Sequence, residues 1–155
     1  MPKFKEIQIG DSASIERIIS LEDIESFSKL TGDKNPLHVD QSFAEKGQFG
    51  ARVAHGMLTS SFISTLIGMT LPGEGSIITN ISLDFRKPVF IGDSLCTTIE
   101  VIKKIALSKQ VLIKLTVCNQ HSKAVISGTA KAICQEWKFF INLKDEVVSN
   151  QYRGN

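Results

Sequence analysis

The chain has 155 residues, of which 42% are hydrophobic and 22% are charged, and its formal net charge at pH 7 is +2. This length is typical of one domain and is enough to bury a core without disulfides. The composition excludes a disordered chain, and the charge is too small and dispersed for a typical nucleic-acid-binding surface. We therefore expect one domain over residues 1–155 that binds no nucleic acid.

Neither the N-terminus nor any apolar run predicts a secretory or membrane segment. The first six residues lack an apolar signal core, and the longest apolar-rich run, residues 57–71, is shorter than the roughly 20 residues that cross a bilayer. The cysteines, Cys96, Cys118 and Cys134, lie far apart in apolar stretches, as expected of buried free thiols in a reducing compartment. We expect a cytoplasmic protein without a membrane partner.

The first predicted elements are an extended segment over residues 7–19 and a helix. Four apolar residues after it recur at helical spacing: Leu21, Ile24, Phe27 and Leu30. Ser20 and Asp23 have the spacing of a capping box, with Asp in place of Glu. Gly32 predicts the end of this helix, because glycine readily adopts the left-handed conformation.

The segment that follows predicts a rigid, non-helical loop over residues 33–38. Pro36 fixes its own φ angle and biases Asn35 away from the helical region. Residues 40–46 are then expected to form a short helix, and residues 47–54 a loop.

Residues 57–71 predict a long buried helix. Its apolar residues occupy more than one face, the other positions are mostly Ser, Thr or Gly, and no position is charged. A helix of this composition is usually buried on several sides. We expect Pro72-Gly73 to end it.

Period-2 alternation of apolar and polar residues predicts four strands after this helix. They cover residues 77–85, 95–103, 111–117 and 125–133. Together with the N-terminal extended segment they predict an antiparallel meander of about five strands with one buried face. The expected fold is α+β, a curved antiparallel sheet around one long central helix. The predicted core covers about residues 8–134. In the C-terminal segment 136–155, residues 137–141 predict either another strand or a short helix, and residues 150–155 a frayed end.

The densest cluster of reactive side chains consists of Asp33, Asn35 and His38. A general acid–base pair needs two titratable groups that are held at a fixed separation and reach one water, and a loop stiffened by Pro36 can hold them. An imidazole can donate or accept a proton near neutral pH, and a carboxylate beside it can orient it or share the water. The alternative is structural, because Asp and Asn before proline are common turn residues.

A second cluster, Ala54-His55-Gly56, lies directly before the buried helix. The first N–H groups of a helix lack intrahelical acceptors and carry partial positive charge. Because Gly56 has no side chain, a polarised carbonyl can approach its N–H, as in an oxyanion hole. Alternatively, Gly56 only permits close packing.

These segments resemble those of a known family. Thr31-Gly-Asp-Lys-Asn-Pro-Leu-His38 resembles the hydratase motif of the MaoC-like and R-specific enoyl-CoA hydratases, and Phe49-Gly-Ala-Arg-Val-Ala-His-Gly-Met-Leu58 is similar to their second shared segment. Phe85-x-x-Pro88-Val-x-x-Gly92-Asp93 is similar to the turn that follows in that family. The resemblance covers roughly residues 8–134.

The resemblance implies a hot-dog fold, in which the curved sheet wraps the central helix. It implies a homodimer joined through sheet edges, with the active site near the subunit boundary. The implied reaction is a hydro-lyase reaction, the reversible addition of water to a trans-2-enoyl thioester that gives the (3R)-hydroxyacyl thioester. CoA or acyl carrier protein enters as part of the substrate, and we expect no metal and no other cofactor.

The resemblance also implies roles for individual residues. Asp33 and His38 fall on the catalytic pair, which would activate the water that attacks C3 and then protonate C2, with the order of proton transfers open. Gly56 falls on the residue whose N–H holds the thioester carbonyl. Asn35 falls on the position that props the loop, and His55 on one with a structural role.

Ser64, on the central helix, falls on a position that supports the catalytic residues in relatives. Ser60 and Ser61 are the alternatives if the helix register differs.

Two other functions stay open at this point. A hot-dog thioesterase would hydrolyse the thioester, but such enzymes usually place a carboxylate on the central helix, and residues 57–71 contain none. A non-catalytic acyl-thioester-binding protein is the second alternative, although a binder has no need of both Asp33 and His38.

Overall fold

The structure, a computed structural model, describes residues 4–134, so the interpretation of residues 136–155 lies outside the described residues. The elements of the described part are, in chain order, β1 (Ser12–Ile18), α1 (Leu21–Thr31), α2 (Pro36–Val39), α3 (Gln41–Glu45), α4 (Gly56–Met69), β2 (Ile77–Phe85), β3 (Ser94–Ile105), β4 (Gln110–Cys118) and β5 (Ala124–Ile133). Every predicted strand and the long helix are therefore confirmed, with boundaries within two residues for most of them.

Helix α1 begins and ends where its local sequence predicts. The Ser20 side chain accepts from the Asp23 N–H, and the Asp23 carboxylate accepts from the Ser20 N–H, so the capping box is complete. Gly32 adopts φ 78° and donates its N–H to the Ser28 carbonyl. This left-handed residue turns the chain sharply, so that Asp33 folds back toward α1.

The prediction of a non-helical loop over residues 33–38 is wrong in its second half, because Pro36–Val39 form the short helix α2. Asn35 is its N-cap, with a non-helical backbone, and its side chain accepts from the Leu37 N–H at 3.1 Å. Proline is well suited to the first position of a helix, since its missing N–H would have no acceptor there. Asn35 is non-helical, as its place before proline predicts, but it is the residue at which a helix begins.

The five strands form one antiparallel sheet in the order β1-β3-β4-β5-β2. The expected meander is confirmed for β3, β4 and β5 but is wrong for β2, which pairs with β5 at the far edge. Residues 86–93 carry the chain from that edge back to the centre. Alternation in a sequence reports which side chains are buried, and it does not report which strand lies alongside.

Helix α4 packs on the inner face of this sheet. Its buried residues are Leu58, Thr59, Ser60, Ile63, Leu66 and Ile67. They meet alternate residues of the central strands that are fully buried, among them Leu95, Ile99, Val111, Ile113, Leu115 and Val117. Burial of this apolar surface holds the helix in the curve of the sheet, which is the architecture expected of a hot-dog fold.

Two further expectations concern the cysteines and the membrane. All three cysteines are free thiols, but only Cys134 is buried, whereas Cys96 and Cys118 are half-buried on the outer face of the sheet. Within residues 4–134, no helix has the length and apolar character that a bilayer span requires.

Candidate active site

Asp33 is held by neighbours on both its main chain and its side chain. Its carbonyl oxygen accepts from Ser28 Oγ at 2.7 Å and lies 3.1 Å from His55 Nε2. Its carboxylate accepts the Asn35 N–H at 3.1 Å. The carboxylate itself is exposed. It is therefore oriented by the Asn35 N–H and remains open to a reactant.

Helix α2 positions His38, and Asn35 connects this helix to Asp33. The Asn35 main chain binds the Asp33 carboxylate, while its side chain caps the helix that carries His38. His38 is half-buried, and its Nδ1 lies 2.7 Å from the Val53 carbonyl. Because a carbonyl can only accept, Nδ1 carries a proton, and in the neutral form of the ring Nε2 has the lone pair.

Ring nitrogens of His38 and His55 and a carboxylate oxygen of Asp33 all lie within 4.8 Å of one another. Two hydrogen bonds of about 2.8 Å that meet at the tetrahedral angle of one water span about 4.6 Å. A separation within 4.8 Å between the Asp33 carboxylate and a ring nitrogen of His38 is therefore compatible with one water that contacts both. The structure brings the two sequence-predicted residues together at the separation that shared acid–base work requires.

The same three side chains are of types that bind metal ions. Zinc bound at 2.0–2.1 Å in a tetrahedral site draws its ligand atoms to about 3.4 Å of one another. Separations of up to 4.8 Å are compatible with a bridging water, whereas a bound zinc would need the ligand atoms at about 3.4 Å from one another.

Gly56 is the first residue of α4, and none of the described residues accepts a hydrogen bond from its N–H. A Cβ at this position would lie 2.8 Å from Cε1 of Phe85, so only glycine leaves this ring in place. The segment before it is fixed, because Ala54 donates to the Val89 carbonyl at 2.8 Å. A helix N-terminal N–H that has no acceptor, on a residue without a side chain of its own, is suited to stabilise a developing negative charge.

A cavity of about 420 Å³ opens beside Gly56. Its lining includes Thr59 of α4, the Phe85 ring, and the cationic side chains of Arg86 and Lys87. Asp33 and His38 do not line it. Within one chain, then, the cavity reaches the candidate oxyanion residue, and the acid–base pair adjoins its wall through the bond between His38 Nδ1 and the Val53 carbonyl.

The predicted supporting serine is not brought to the pair. Ser64 is exposed on α4, about two turns beyond Gly56, and it makes no hydrogen bond to Asp33 or His38 among the described residues. The alternatives Ser60 and Ser61 donate to carbonyls of their own helix.

His55 is the residue at this site that the sequence interpretation left out of the catalytic set. It is 2% exposed, its Nε2 lies 3.1 Å from the Asp33 carbonyl, and its ring centroid is 3.9 Å from that of His38. The sequence feature that could have identified His55 is its position beside Gly56 in the second motif.

Comparison with known proteins agrees with this geometry. Residues 5–123 match the family described as the MaoC like domain. The chain belongs to the MaoC-like dehydratase family. This MaoC-like chain is 42% identical over 127 residues to an (R)-specific enoyl-CoA hydratase of Rhodospirillum rubrum, a match that covers 82% of the chain and 88% of the relative. It is 35% identical over 127 residues to a 3-hydroxybutyryl-CoA dehydratase of Methylorubrum extorquens, covering 82% and 80% of the two chains.

The fold of the MaoC-like chain is also that of a solved relative. It superposes on the unliganded R-hydratase PhaJ1 of Pseudomonas aeruginosa with a TM-score of 0.82 and 36% identity, covering 87% of this chain and 86% of that one. The expected hot-dog fold is thereby confirmed.

Proposed function

We propose that this MaoC-like protein is an (R)-specific enoyl-CoA hydratase that reversibly adds water to a trans-2-enoyl-CoA and gives the (3R)-hydroxyacyl-CoA. The observation that carries the proposal is the separation of at most 4.8 Å between the Asp33 carboxylate and the His38 imidazole, which one water can bridge. The CoA form of the substrate is favoured by the two relatives, which are named as an enoyl-CoA hydratase and a 3-hydroxybutyryl-CoA dehydratase.

In the proposed mechanism, Asp33 and the free Nε2 of His38 hold the attacking water. Its oxygen forms a bond to C3, one of its protons passes to the pair, and the C2–C3 electron pair moves onto the thioester as an enolate. The Gly56 N–H stabilises the enolate oxygen, and a proton from the pair then adds to C2. Stabilisation of such an oxyanion by one aligned donor typically contributes about 3–4 kcal/mol.

In this proposal the pair needs no metal and no cofactor, because a carboxylate and an imidazole can exchange protons with the water and polarise it by themselves. Asn35 supports both partners, since its main chain binds one and its side chain caps the helix of the other. Ser64 is left without a role within one protomer.

The rival thioesterase is disfavoured by the composition of α4, because Gly56–Met69 contain no Asp or Glu that could act on the thioester carbon. A hydratase and a thioesterase differ in product, so release of free thiol from crotonyl-CoA distinguishes them.

The test is hydration of crotonyl-CoA by the wild type, Asp33→Asn and His38→Gln, with chiral analysis of the product. Asparagine keeps an oxygen for the Asn35 N–H, so the loop should hold. We expect kcat to fall by roughly 10²- to 10⁴-fold in each variant, with unchanged thermal unfolding.

His121→Gln is the matched control, because His121 is exposed in the β4–β5 loop at positions 119–123. It should retain wild-type kcat. Near-normal activity of either Asp33→Asn or His38→Gln would remove that residue from the mechanism, and an (S)-product would refute the stereochemical assignment.

We also propose that two copies pair through the β2 edge. This strand pairs with β5 on one side only, and Ile77 and Ile81 on it are 41% and 44% exposed. Apolar side chains beside unpaired backbone groups are what an edge-to-edge contact covers. The free state of all three cysteine thiols favours a reducing compartment, and we place the enzyme in the cytoplasm.

A further inference from the structure

His55 contacts both members of the acid–base pair. Its imidazole lies against the His38 ring, with centroids 3.9 Å apart and planes inclined by 32°. Its Nε2 donates to the Asp33 carbonyl, since a carbonyl can only accept. Phe27 of α1 packs on it with a centroid separation of 5.1 Å, so the ring is held on several sides.

Stability alone does not explain why the His55 imidazole is buried. His55 is 2% exposed, and its Nδ1 has no hydrogen-bond partner among the described residues. A buried polar atom without a partner is destabilising, and a phenylalanine ring of similar shape would not have this unpaired atom. Although His55 is the N-cap of α4, its side chain makes no capping bond, so helix capping does not explain the imidazole.

What the imidazole does supply is a donor and a flat face in one rigid group. The donor fixes the Asp33 main chain from the side of α4, opposite the Ser28 hydroxyl that reaches the same carbonyl. The face limits rotation of the His38 ring, whose Nδ1 is already tied to Val53. Because His55 directly precedes Gly56, the same residue links the pair to the candidate oxyanion N–H.

We infer that His55 is a positioning residue of the hydration reaction, which sets the distance between the Asp33 carboxylate and the His38 imidazole and their place relative to Gly56. This inference rests on the proposed hydratase function. It assigns His55 no contact with substrate, so its loss should act on kcat and spare KM. Misplacement of reacting groups by about 1 Å lowers rates by about a hundredfold.

Two variants separate the contributions of the ring and the donor. His55→Phe keeps a ring against His38 and removes the N–H, whereas His55→Gln keeps an N–H that can reach the Asp33 carbonyl and removes the ring. With crotonyl-CoA we expect kcat to fall by about 30- to 100-fold in the Phe variant. In the Gln variant we expect the fold reduction in kcat to be about one-third as large. In both variants KM should stay within threefold of the wild-type value.

Val111→Ala controls for lost stability, because Val111 is fully buried and pairs with Ala132 at the end of the sheet remote from Phe85. It should lower the unfolding temperature and leave kcat unchanged. If His55→Phe fails to fold, Ser28→Ala decides the question, since it removes the other donor to the Asp33 carbonyl, a hydroxyl of α1. It should lower kcat at least threefold with unchanged KM.

The inference is overturned if the folded His55→Phe variant keeps more than half of the wild-type kcat, or if its KM rises while kcat holds. Wild-type kcat in Ser28→Ala, when His55→Phe does not fold, overturns it too. A wild-type chain that does not hydrate crotonyl-CoA would instead refute the proposed function, and with it the role of His55.

Discussion

At the scale of single residues, the Asp33–His38 pair illustrates what sequence can and cannot predict. Both residues and the Asn35 support lie within six positions, so a local motif was enough to find them. The contacts of His55 span 22 residues to Asp33 and 17 to His38, and they exist only because α4 packs beside α1 and α2. No local pattern encodes such a contact, so the tertiary structure was needed to find it.

The first residue-scale prediction concerns Gly56→Ala. The three atoms nearest to the new Cβ belong to the ring of Phe85, which is 52% exposed and can rotate toward solvent, and alanine is favourable in a helix. We expect the free energy of unfolding to change by less than about 1 kcal/mol, while kcat/KM falls at least tenfold because the approach to the N–H is blocked. Steady-state kinetics beside urea unfolding measures both, and unchanged kcat/KM would refute the oxyanion role.

The second concerns Cys134, whose burial raises the pKa of its thiol from 9.0 to about 11, partly opposed by nearby Lys104. Below pH 9 the thiol is protonated in both states and stability is unaffected. Between pH 9 and 11 the unfolded chain releases this proton first, so stability falls as pH rises. We expect wild type to lose about 2 kcal/mol more than Cys134→Ala between pH 8.5 and 10.5. Urea unfolding at both pH values tests this, and equal losses would contradict it.

At the scale of elements, the sequence predicted the strands and helices far better than their neighbours. Alternation found β2, but nothing in Ile77–Phe85 indicated pairing with β5. The structure supplies one physical reason at Gly128, which lies opposite Leu83 in that pairing. A Cβ on Gly128 would lie 2.0 Å from the Ser82 carbonyl oxygen, so this glycine permits the close approach of the two strands.

A glycine pair makes this testable. We expect Gly128→Ala to destabilise the protein by at least about 3 kcal/mol, because the clash is with main chain that cannot move without breaking the ladder. Gly68→Ala is the matched control, since a Cβ on Gly68 in α4 meets nothing within 4 Å, and it should be neutral or stabilising by about 0.5–1 kcal/mol. Similar unfolding midpoints for the two variants would show that β2 does not depend on this close contact.

At the scale of the whole molecule, the strand order leaves β1 and β2 as the two sheet edges. The fold class followed from composition, because an uncharged helix with apolar residues on more than one face is usually buried. The order of the strands did not follow, since edge and centre strands here share the same alternation. The β2 edge carries two exposed isoleucines, Ile77 and Ile81, whereas the β1 edge carries one, Ile18, at its end.

Ile81→Lys tests the proposed pairing of two copies. A lysine among apolar groups at the β2 edge would have to bury a charge, so we expect the dimer dissociation constant to rise at least tenfold. Leu107→Lys makes the same substitution class at a residue that is 100% exposed in the β3–β4 turn and should not affect assembly. Sedimentation velocity over a concentration series distinguishes them, and an Ile81→Lys protein that stays dimeric would place the interface elsewhere.

The hydrogen bonds between Val53 and α2 have a consequence for the chain that lies between them. Val53 donates to the Leu37 carbonyl at 3.3 Å, and its own carbonyl receives the His38 ring at 2.7 Å. Residues 40–52 thus form a segment whose two ends are held together by these hydrogen bonds. Lengthening a segment that is already closed adds little closure entropy. Residues 40–52 can therefore accept inserted sequence, even a reporter peptide, without separating Val53 from Leu37 and His38.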